Sequence, residues 1–471
     1  MTLMTPIRQL SEAILDQGIE NTNFFNGRIL NAGDLQTDQE ANRAQHEQLG
    51  LAIGAGVVRG LWVELVSAGS GTAAPVVSVS AGLALNANGQ AVALPIGIKL
   101  VLTRQTTPLP ADAGLFADCA PPSATTVPLQ AGIYILVASP ASGFSGQAPM
   151  YSFGDVTAAT GCGSRYAVEG IRFRLVLLDI TALGRLSQAT RDAIAKPGTG
   201  LMSQTDAASL AKLRNWVAHI CFGTEEIAGF ASDPFARAGT ADPLGIAAGQ
   251  STYVAYGAID ALVAAGDLTT GDVPLALLYW TNQGVQFLDR WSVRRHPVPP
   301  PLTTTWPLLL SRRRRSEAEA MFLQFEEQLK SIIANETNLA LVWADAYFTY
   351  LPPAGLLPVT ANGISTVTGK PATPAFDTPT FFGAHASQDV ATTDGNLLRE
   401  LFAAALDYDP IPLAQTGEIQ LYLVWENLEA VNAGATVQLA LIFASPAMRY
   451  RGVARFGSAK WNLSRFAPRI A

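Results

Sequence analysis

The four histidines of the chain, His46, His219, His296 and His385, are its best candidates for acid–base or metal chemistry. A zinc site on one helix needs two histidines about a turn apart, and no two of these lie within helical reach of each other. The sequence also lacks the nucleophile elbow G-x-S-x-G, the phosphate-binding G-x-x-x-x-G-K-[ST] and the EF-hand calcium spacing. These patterns predict no catalytic residue, no metal site and no cofactor, and a protein that is not an enzyme.

Paired carboxylates are the remaining catalytic option, because a glycosidase needs only two of them, about 5 to 10 Å apart. The candidate pairs are Asp407 with Asp409, and Glu426 with Glu429. Asp409 stands before Pro410, an arrangement typical of a turn. A turn is therefore the ordinary explanation of the aspartates, and a glycan-degrading enzyme that uses Asp407 or Asp409 stays as an alternative.

Three glycines, Gly54, Gly56 and Gly60, follow a spacing similar to that of a dinucleotide-binding loop. Such a loop requires a strand, then a glycine turn, then a helix whose N-terminus meets the pyrophosphate. Here the order is reversed: a polar helix that begins near Asn31 or Asp34 precedes the glycines, and the strand-like stretch VVRGLWVELV follows them. We interpret the glycines as residues that shape a helix end and a close approach of two backbone segments.

The composition indicates a protein with extensive subunit contacts. Only 15% of the 471 residues are charged and 49% are hydrophobic, whereas about 25% are charged in ordinary globular proteins. The net charge of −7 argues against a general nucleic-acid surface. No apolar run approaches the ~18 residues that span a bilayer, and the N-terminus lacks a secretion signal, so we expect a protein that is cytoplasmic at synthesis.

The three cysteines, Cys119, Cys162 and Cys221, show no metal-binding spacing. Cys221 lies in the apolar stretch WVAHICFG and is expected to be a small buried residue. A disulfide between Cys119 and Cys162 stays open at this stage.

Hydrophobic periodicity predicts an α+β protein that is mostly β. Strands with a turn at residues 86–89 follow the polar helix, residues 186–222 are predicted to be helical, and two strands flank residues 282–284. A capping box that starts at Ser316 predicts an amphipathic helix ending near Asn335, and the stretch LALVWADAYFTYL after it is predicted to be β. The predicted divisions are a helix-plus-β N-terminal module (1–103), a mixed middle domain (104–295), a Pro/Arg-rich linker (296–316), the amphipathic helix (317–338) and a C-terminal β-sandwich or jelly roll (339–471).

The stretch FFNGRILNAGDLQTDQEANRAQHEQLGLAIGAGVVRGLWVE, followed by VSVSAGLALNANGQAVAL, resembles a module of phage-tail and contractile-injection-system proteins that act at the baseplate or attach fibres. In that family a Phe-Asn-Gly start leads into a polar helix, a glycine turn, GVV-x-GL-x-V and a hairpin that closes in a GLA…GQ turn. The resemblance covers about residues 20–95. The matching positions are Phe25, Asn26, Gly27, Arg28, Asp34, Gly56, Val57, Val58, Gly60, Leu61, Gly82, Ala84, Gly89 and Gln90.

The resemblance implies a structural subunit of a contractile phage-tail-like particle, present in many copies, which joins a virion or similar particle after synthesis. The implied partners are baseplate and tail subunits and further copies of the chain, with a cell-envelope glycan or membrane component as another option; nucleic acid is not expected. The docking residues expected on the N-terminal module are Phe25, Arg28, Asp34, Arg43 and Glu47.

A second hypothesis is a glycan- or envelope-binding adhesin. Trp425, Tyr450 and Trp461 lie in the part of the chain predicted to be β, and aromatic rings of this kind can stack on sugars. A place in the core is the other explanation of these side chains. Both hypotheses can hold for one molecule, because a docked subunit can present a recognition domain.

Overall fold

The computed structural model describes residues 18–29, 31–70, 73–102, 130–152, 155–183, 186–224, 257–299, 313–338, 341–360, 381–393, 410–414, 419–425 and 438–444. The helices are α1 (Ala32–Ile53), α2 (Gln188–Ala195), α3 (Ala207–Phe222), α4 (Ala258–Ala265), α5 (Arg313–Asn335) and α6 (Ala344–Tyr347), with 3₁₀ turns at Leu201–Ser203 and Gly383–His385. The first ten strands are β1 (Gly56–Gly60), β2 (Val63–Ser67), β3 (Val76–Val79), β4 (Gly82–Leu85), β5 (Ala91–Leu94), β6 (Ile98–Val101), β7 (Gly132–Ser152), β8 (Asp155–Leu177), β9 (Val273–Thr281) and β10 (Gly284–Asp289). The later strands are β11 (Tyr350–Leu351), β12 (Ala354–Thr360), β13 (Ala386–Thr393), β14 (Ile411–Pro412), β15 (Ile419–Trp425) and β16 (Gln438–Ala444). Helices and antiparallel sheets both contribute, so the described residues form a mixed α and β structure. That the whole chain is mostly β stays a prediction.

The central sheet is covered on both faces, which explains the continuous apolar run of its inner strand. β7 lies inside a sheet of order β10-β9-β7-β8, and alternate residues of a strand point to opposite faces. Ile133 and Ile135 join a core with α2, α3 and α4. Leu136 and Ala138 join a second core with the strands of the first hundred residues. The stretch GIYILVASP is therefore apolar at successive positions because neither face meets solvent.

The first hundred residues form two small antiparallel sheets, β1-β4-β5 and β2-β3-β6. The turn predicted between β4 and β5 is confirmed: Oδ1 of Asn86 accepts from the backbone N–H groups of Asn88 at 3.0 Å and Gln90 at 2.9 Å. The buried residues of these sheets share one apolar core with β7 and β9. The boundary predicted at residue 103 therefore separates residues that share a core, and the domain divisions stay predictions.

The helix–turn–strand order predicted around the three glycines is confirmed, but the single strand predicted for VVRGLWVELV is wrong. A Cβ on Gly54 would lie 1.9 Å from the carbonyl oxygen of Val298, so the chain passes too close there for any side chain. Gly60 and Leu61 have left-handed φ values of 60° and 52°. This bend divides the stretch into β1 and β2, which belong to different sheets.

Residues 186–222, predicted to be helical, form two helices and a 3₁₀ turn. The predicted helix is interrupted just after α2 by Pro197 and by Gly198, whose φ is 80°. The repeating apolar positions of α3, among them Leu213 and Val217, are buried against the central sheet. The strands predicted downstream form the β9–β10 hairpin.

α5 packs its apolar stripe against the C-terminal strands. Phe325 and Leu329 are buried in a third core with residues of β11, β12, β14 and β15, and the helix ends at Asn335 as predicted. The predicted capping box is wrong, because the run of arginines, which are good helix formers, continues the helix back to Arg313. Ser316 therefore lies inside α5.

The stretch LALVWADAYFTYL is not the strand that was predicted, since it contains the helical turn α6 and the two-residue strand β11. The described C-terminal strands form a sheet of order β12-β16-β15-β13, in which β13 and β15 are parallel, and a separate β11–β14 pair. The β-sandwich or jelly roll for residues 339–471 stays a prediction.

Backbone hydrogen bonds join the start of the predicted linker to the N-terminal module. The N–H of Val298 donates to the carbonyl oxygen of Ala55 at 3.1 Å, and the N–H of Val57 donates to the carbonyl oxygen of Arg295 at 2.8 Å. At the other end, residues 313–316 belong to α5. The linker residues between these ends lie outside the described part of the chain.

Candidate docking surface

α1 lies almost entirely outside the cores. Of its 22 residues only Ala41 and Gly50 are buried, and a Cβ on Gly50 would meet the carbonyl oxygen of Gly89 at 1.9 Å. Leu35 and Leu49 are exposed, Leu49 by 64%, and their spacing places them on the same side of the helix. Most helices in proteins owe their stability to a packed apolar face. A long helix with so little burial is therefore suited to contact with another molecule.

The chain enters α1 through a cluster that contains three of the predicted docking residues. The N–H of Asp34 donates to Oδ1 of Asn31 at 2.9 Å, and the N–H of Asn31 donates to Oδ2 of Asp34 at 3.0 Å. The Arg28 guanidinium pairs with Asp34 and donates to the carbonyl oxygen of Asn23 at 2.8 Å. The Asn31 N–H and the Arg28 charge hold the pKa of Asp34 below its usual value. Arg28 and Asp34 thus fix the start of α1, whereas the ring of Phe25 is exposed.

The other two predicted docking residues contact strands of their own chain. Arg43 forms an ion pair with Glu169 of β8, and the two side chains remain 64% and 72% exposed. Oε1 of Glu47 accepts from Nε2 of Gln90, beside the β4–β5 turn, at 3.0 Å. The Glu47 hydrogen bond therefore ties α1 to this turn, whereas the exposed Arg43 pair contributes little, and the role of both residues in docking stays a prediction.

The β7–β8 hairpin projects far beyond the sheet from which it starts. β9 pairs with β7 only as far as Ala138, whereas β7 and β8 pair from Ser139 opposite Arg172 to the end of the hairpin. We call residues 139–152 and 155–172 the arm. At about 3.3 Å per strand residue, the arm is on the order of 45 Å long.

At residues 139–148 and 162–172, where the side chains of the arm are described, exposed residues lie on both faces, and the arm carries little charge. Phe144 is 65% exposed on one face, and Tyr166 is 53% exposed on the other. A two-stranded ribbon alone in water is marginally stable, so a surface of this kind is suited to burial in an assembly. The sequence predicted the strands at its base but missed the arm, whose only signal is a run rich in Ser, Gly and Ala. Its charged residues are Asp155, Arg165, Glu169 and Arg172.

A buried arginine, Arg294, donates hydrogen bonds to the backbone at the bend between β1 and β2, the strands that follow α1 in the chain. Arg294 donates from Nη2 to the carbonyl oxygen of Gly60 at 2.6 Å and from Nη1 to that of Leu61 at 2.9 Å. Its Cζ lies 4.1 Å from the centroid of the Trp62 ring. Burial lowers the pKa of Arg294 to about 10, so the side chain is still charged at neutral pH. The sequence does not reveal the role of Arg294, whose only signal is a charge in the mixed stretch WSVRRHP.

Arg214 of α3 neutralises two carboxylates from other elements. Its Nε lies 2.6 Å from Oδ2 of Asp289 at the end of β10, and its Nη2 lies 2.8 Å from Oε1 of Glu327 on α5. Ser292 donates to Oδ1 of Asp289 from its N–H and its hydroxyl. Burial opposes ionisation of Asp289, but the Arg214 charge and the Ser292 hydrogen bonds hold its pKa below the usual value. Both oxygens of Asp289 are thus bonded, which suits a structural tie better than acid–base chemistry.

The four histidines lie in different parts of the fold: on α1, on α3, in the segment after β10 and in the 3₁₀ turn at Gly383–His385. His46 is exposed on α1, and burial lowers the pKa of His219 to about 3, so this ring is neutral at physiological pH. His296 and His385 each face one carboxylate, at 3.2 and 3.3 Å. Within the described part of the chain, no three His, Cys, Asp or Glu side chains are arranged to hold a metal ion.

Several predicted residues have no described side chain. The backbone of Trp425 lies in β15, but its side chain is outside the description. Cys162 is an exposed free thiol and Cys221 is buried, as expected. The predicted residues that lie wholly outside the described part of the chain are Cys119, Asp407, Asp409, Glu426, Glu429, Tyr450 and Trp461.

Comparison of the sequence with protein-family models and with curated proteins finds no match. Among the helices of the described residues, none combines the length and the apolar character needed to cross a membrane.

Proposed function

We propose that this protein is a structural subunit of a contractile phage-tail-like particle, located at the baseplate periphery or where fibres attach. The observation that carries the proposal is that α1 and the arm, which meet through Arg43 and Glu169, are both long elements whose described side chains are mostly exposed. Elements of this kind are stabilised when another molecule covers them. The low charge of the chain supports the same conclusion.

In this proposal α1 and the exposed segment before it contact other particle subunits, and residues 339–471 form a β-sandwich or jelly roll presented away from the docking site. The fixed entry of the chain into α1, through Arg28 and Asp34, sets the direction of the helix. Because Arg43 and Glu47 have contacts within the chain, charge reversal there perturbs the position of α1 as well as any docking. Substitution of the exposed Leu35 and Leu49 of α1 tests docking without breaking these contacts within the chain.

The test is to pellet large particles from gently lysed producing cells and to quantify this chain by mass spectrometry against the sheath and tube subunits. We expect co-sedimentation at a fixed ratio, and at least a tenfold loss of it in a variant with Leu35→Glu and Leu49→Glu, because the charges would be buried at the interface. Val263→Glu is the matched control, since Val263 is an exposed apolar residue on α4. A chain that stays in the supernatant as a small oligomer contradicts the proposal.

The glycan- or envelope-binding adhesin stays the alternative. It depends on the aromatic rings of Trp425, Tyr450 and Trp461, which can stack on sugars. Binding of the full-length chain to an array of bacterial surface polysaccharides, lost in Trp461→Ala, would support it.

A further inference from the structure

We propose that the outer edge of β8 in the arm pairs with the same edge in a second copy of this chain. β8 is the last strand of the central sheet, so its outer edge has no neighbouring strand among the described residues. An open edge presents backbone N–H and C=O groups that another strand can bind. The inference rests on the proposed function and deepens it, because it names one contact through which the subunits assemble.

The sequence favours the edge of β8 over that of β7. Beyond Ala138 the second edge of β7 is also without a neighbour among the described strands. β7, however, contains Pro140 and Pro149 in the arm, and a proline has no N–H to donate to a ladder. Residues 162–172 of β8 contain no proline. The edge of β8 can therefore form an uninterrupted ladder.

The side chains along this edge are complementary to themselves. Residues 165–169 of β8 are Arg, Tyr, Ala, Val and Glu, and all five are exposed. When two copies of the strand pair antiparallel about a two-fold axis at Ala167, positions at equal distance from the axis face each other. Arg165 of each copy then faces Glu169 of the other copy, and Tyr166 faces Val168.

These are the kinds of pair that stabilise antiparallel strands. Opposite charges and an aromatic ring beside a β-branched residue are both favourable across a ladder. Arg165 and Glu169 share one face of the arm, and Tyr166 and Val168 share the other, so both faces contribute. The two-fold axis repeats each pair, which gives two ion pairs and two apolar pairs in one short segment.

The charges argue for a second copy rather than an unrelated strand of uniform charge. An acidic strand would repel Glu169, and a basic strand would repel Arg165, whereas a second copy satisfies both. The existing contact of Glu169 with Arg43 is no obstacle, because both side chains are mostly exposed and such ion pairs contribute little.

Charge exchange tests the pairing directly. Arg165→Glu places two glutamates opposite each other at both ends of the segment, and Glu169→Arg does the same with arginines. We expect each variant alone to dimerise at least tenfold more weakly than the unchanged chain in sedimentation equilibrium. An equimolar mixture of the two variants, and a chain that carries both changes, should recover dimerisation because opposite charges face each other again. Lys196→Gln is the matched control, because it removes an exposed charge just after α2, and it should dimerise like the unchanged chain.

The register is tested by a disulfide. Directly opposed residues of antiparallel strands have Cα atoms about 4.5 to 5.5 Å apart, within the range that a disulfide bridges. In a chain with Cys162→Ser, Ala167→Cys should therefore give a covalent dimer on mild oxidation. Ser145→Cys is the control, because it lies opposite Tyr166 on β7 and two strands would separate it from its copy.

The outcomes separate this inference from the proposed function. A chain that is monomeric at all concentrations, or single charge variants that dimerise like the unchanged chain, overturns β8 pairing. If such a chain still co-sediments with sheath and tube subunits, the particle proposal stands without the pairing. If the chain dimerises through β8 but stays out of particles, the pairing stands and the particle proposal fails.

Discussion

At the scale of single residues, Glu326 of α5 holds a proton that most glutamates release. Burial raises its pKa from the ordinary 4.5 to about 7, although the N–H of Leu356 donates to its Oε1 at 3.2 Å and the Lys330 charge also acts to lower it. Between these two pH values the folded state keeps a proton that the unfolded chain has lost. The free energy of unfolding therefore falls as pH rises from 4.5 through 7, and this loss is complete above pH 7.

Glu326→Gln should remove that pH dependence. The amide keeps an oxygen that accepts from the Leu356 N–H, but it cannot ionise. At pH 8 we expect the variant to be more stable than the unchanged chain by about 3 kcal/mol, with little difference at pH 4.5. Urea denaturation at several pH values measures this, with Glu40→Gln on the exposed side of α1 as the control. Equal destabilisation of the Glu326 variant at every pH would contradict the shift.

At the scale of elements, the bend between β1 and β2 depends on the absence of a side chain. Gly60 combines a left-handed φ of 60° with a backbone neighbour: a Cβ there would lie 1.9 Å from the carbonyl oxygen of Ala81. Gly27 has a similar φ of 87°, but a Cβ there would have nothing within 4 Å. Alanine at Gly27 therefore tests the cost of the left-handed backbone alone, whereas alanine at Gly60 adds a steric overlap to that cost.

Alanine at each of these glycines gives a matched pair of variants. Gly27→Ala should lower the free energy of unfolding by about 1–2 kcal/mol, the usual cost of a left-handed conformation. Gly60→Ala carries the same cost and must also displace a paired strand, so we expect it to lose at least about 2 kcal/mol more. Thermal unfolding followed by circular dichroism compares the two. Similar melting temperatures would mean that the bend tolerates a side chain.

The sequence predicted the elements whose structure is determined by residues close to one another along the chain. α1, α3, the β4–β5 turn and the β9–β10 hairpin follow from periodicity and turn residues. The bend at Leu61 could not be predicted, because its left-handed conformation depends on Arg294, 233 positions away. The arm was missed because Ser, Gly and Ala have weak strand preference. Of the candidate docking surface, the sequence could therefore predict α1 but not the strands beside it.

At the scale of the whole molecule, the Arg214 network ties the middle of the chain to its C-terminal part. It joins α3 and β10, which belong to the central sheet and its helices, to α5, which covers the third core. Gln328 of α5 adds hydrogen bonds to the carbonyl oxygens of Ala211 at 2.8 Å and Tyr347 at 3.0 Å. These contacts bind the central sheet and its helices to α5 and the third core, so each part stabilises the other.

Arg214→Met should destabilise both parts together. The change leaves Asp289 and Glu327 without their shared cation in a buried site, and removal of one member of such a network costs about 3–5 kcal/mol. Lys212→Met is the control on the same helix, since Lys212 is more exposed and donates to a single carbonyl oxygen. Hydrogen exchange should show faster exchange in both α3 and α5 in the Arg214 variant. Faster exchange in α3 alone would show that the parts are independent.

The contact between Arg294 and the β1–β2 bend has a consequence for synthesis on the ribosome. The first two sheets share their core with β7 and β9, and Arg294 closes their bend from 233 positions downstream. Translation adds about 5–20 residues per second, so the nascent N-terminal module waits on the order of ten to fifty seconds for the segments that complete it. During this interval its apolar strands are exposed, and a chaperone that binds nascent chains should meet this module first.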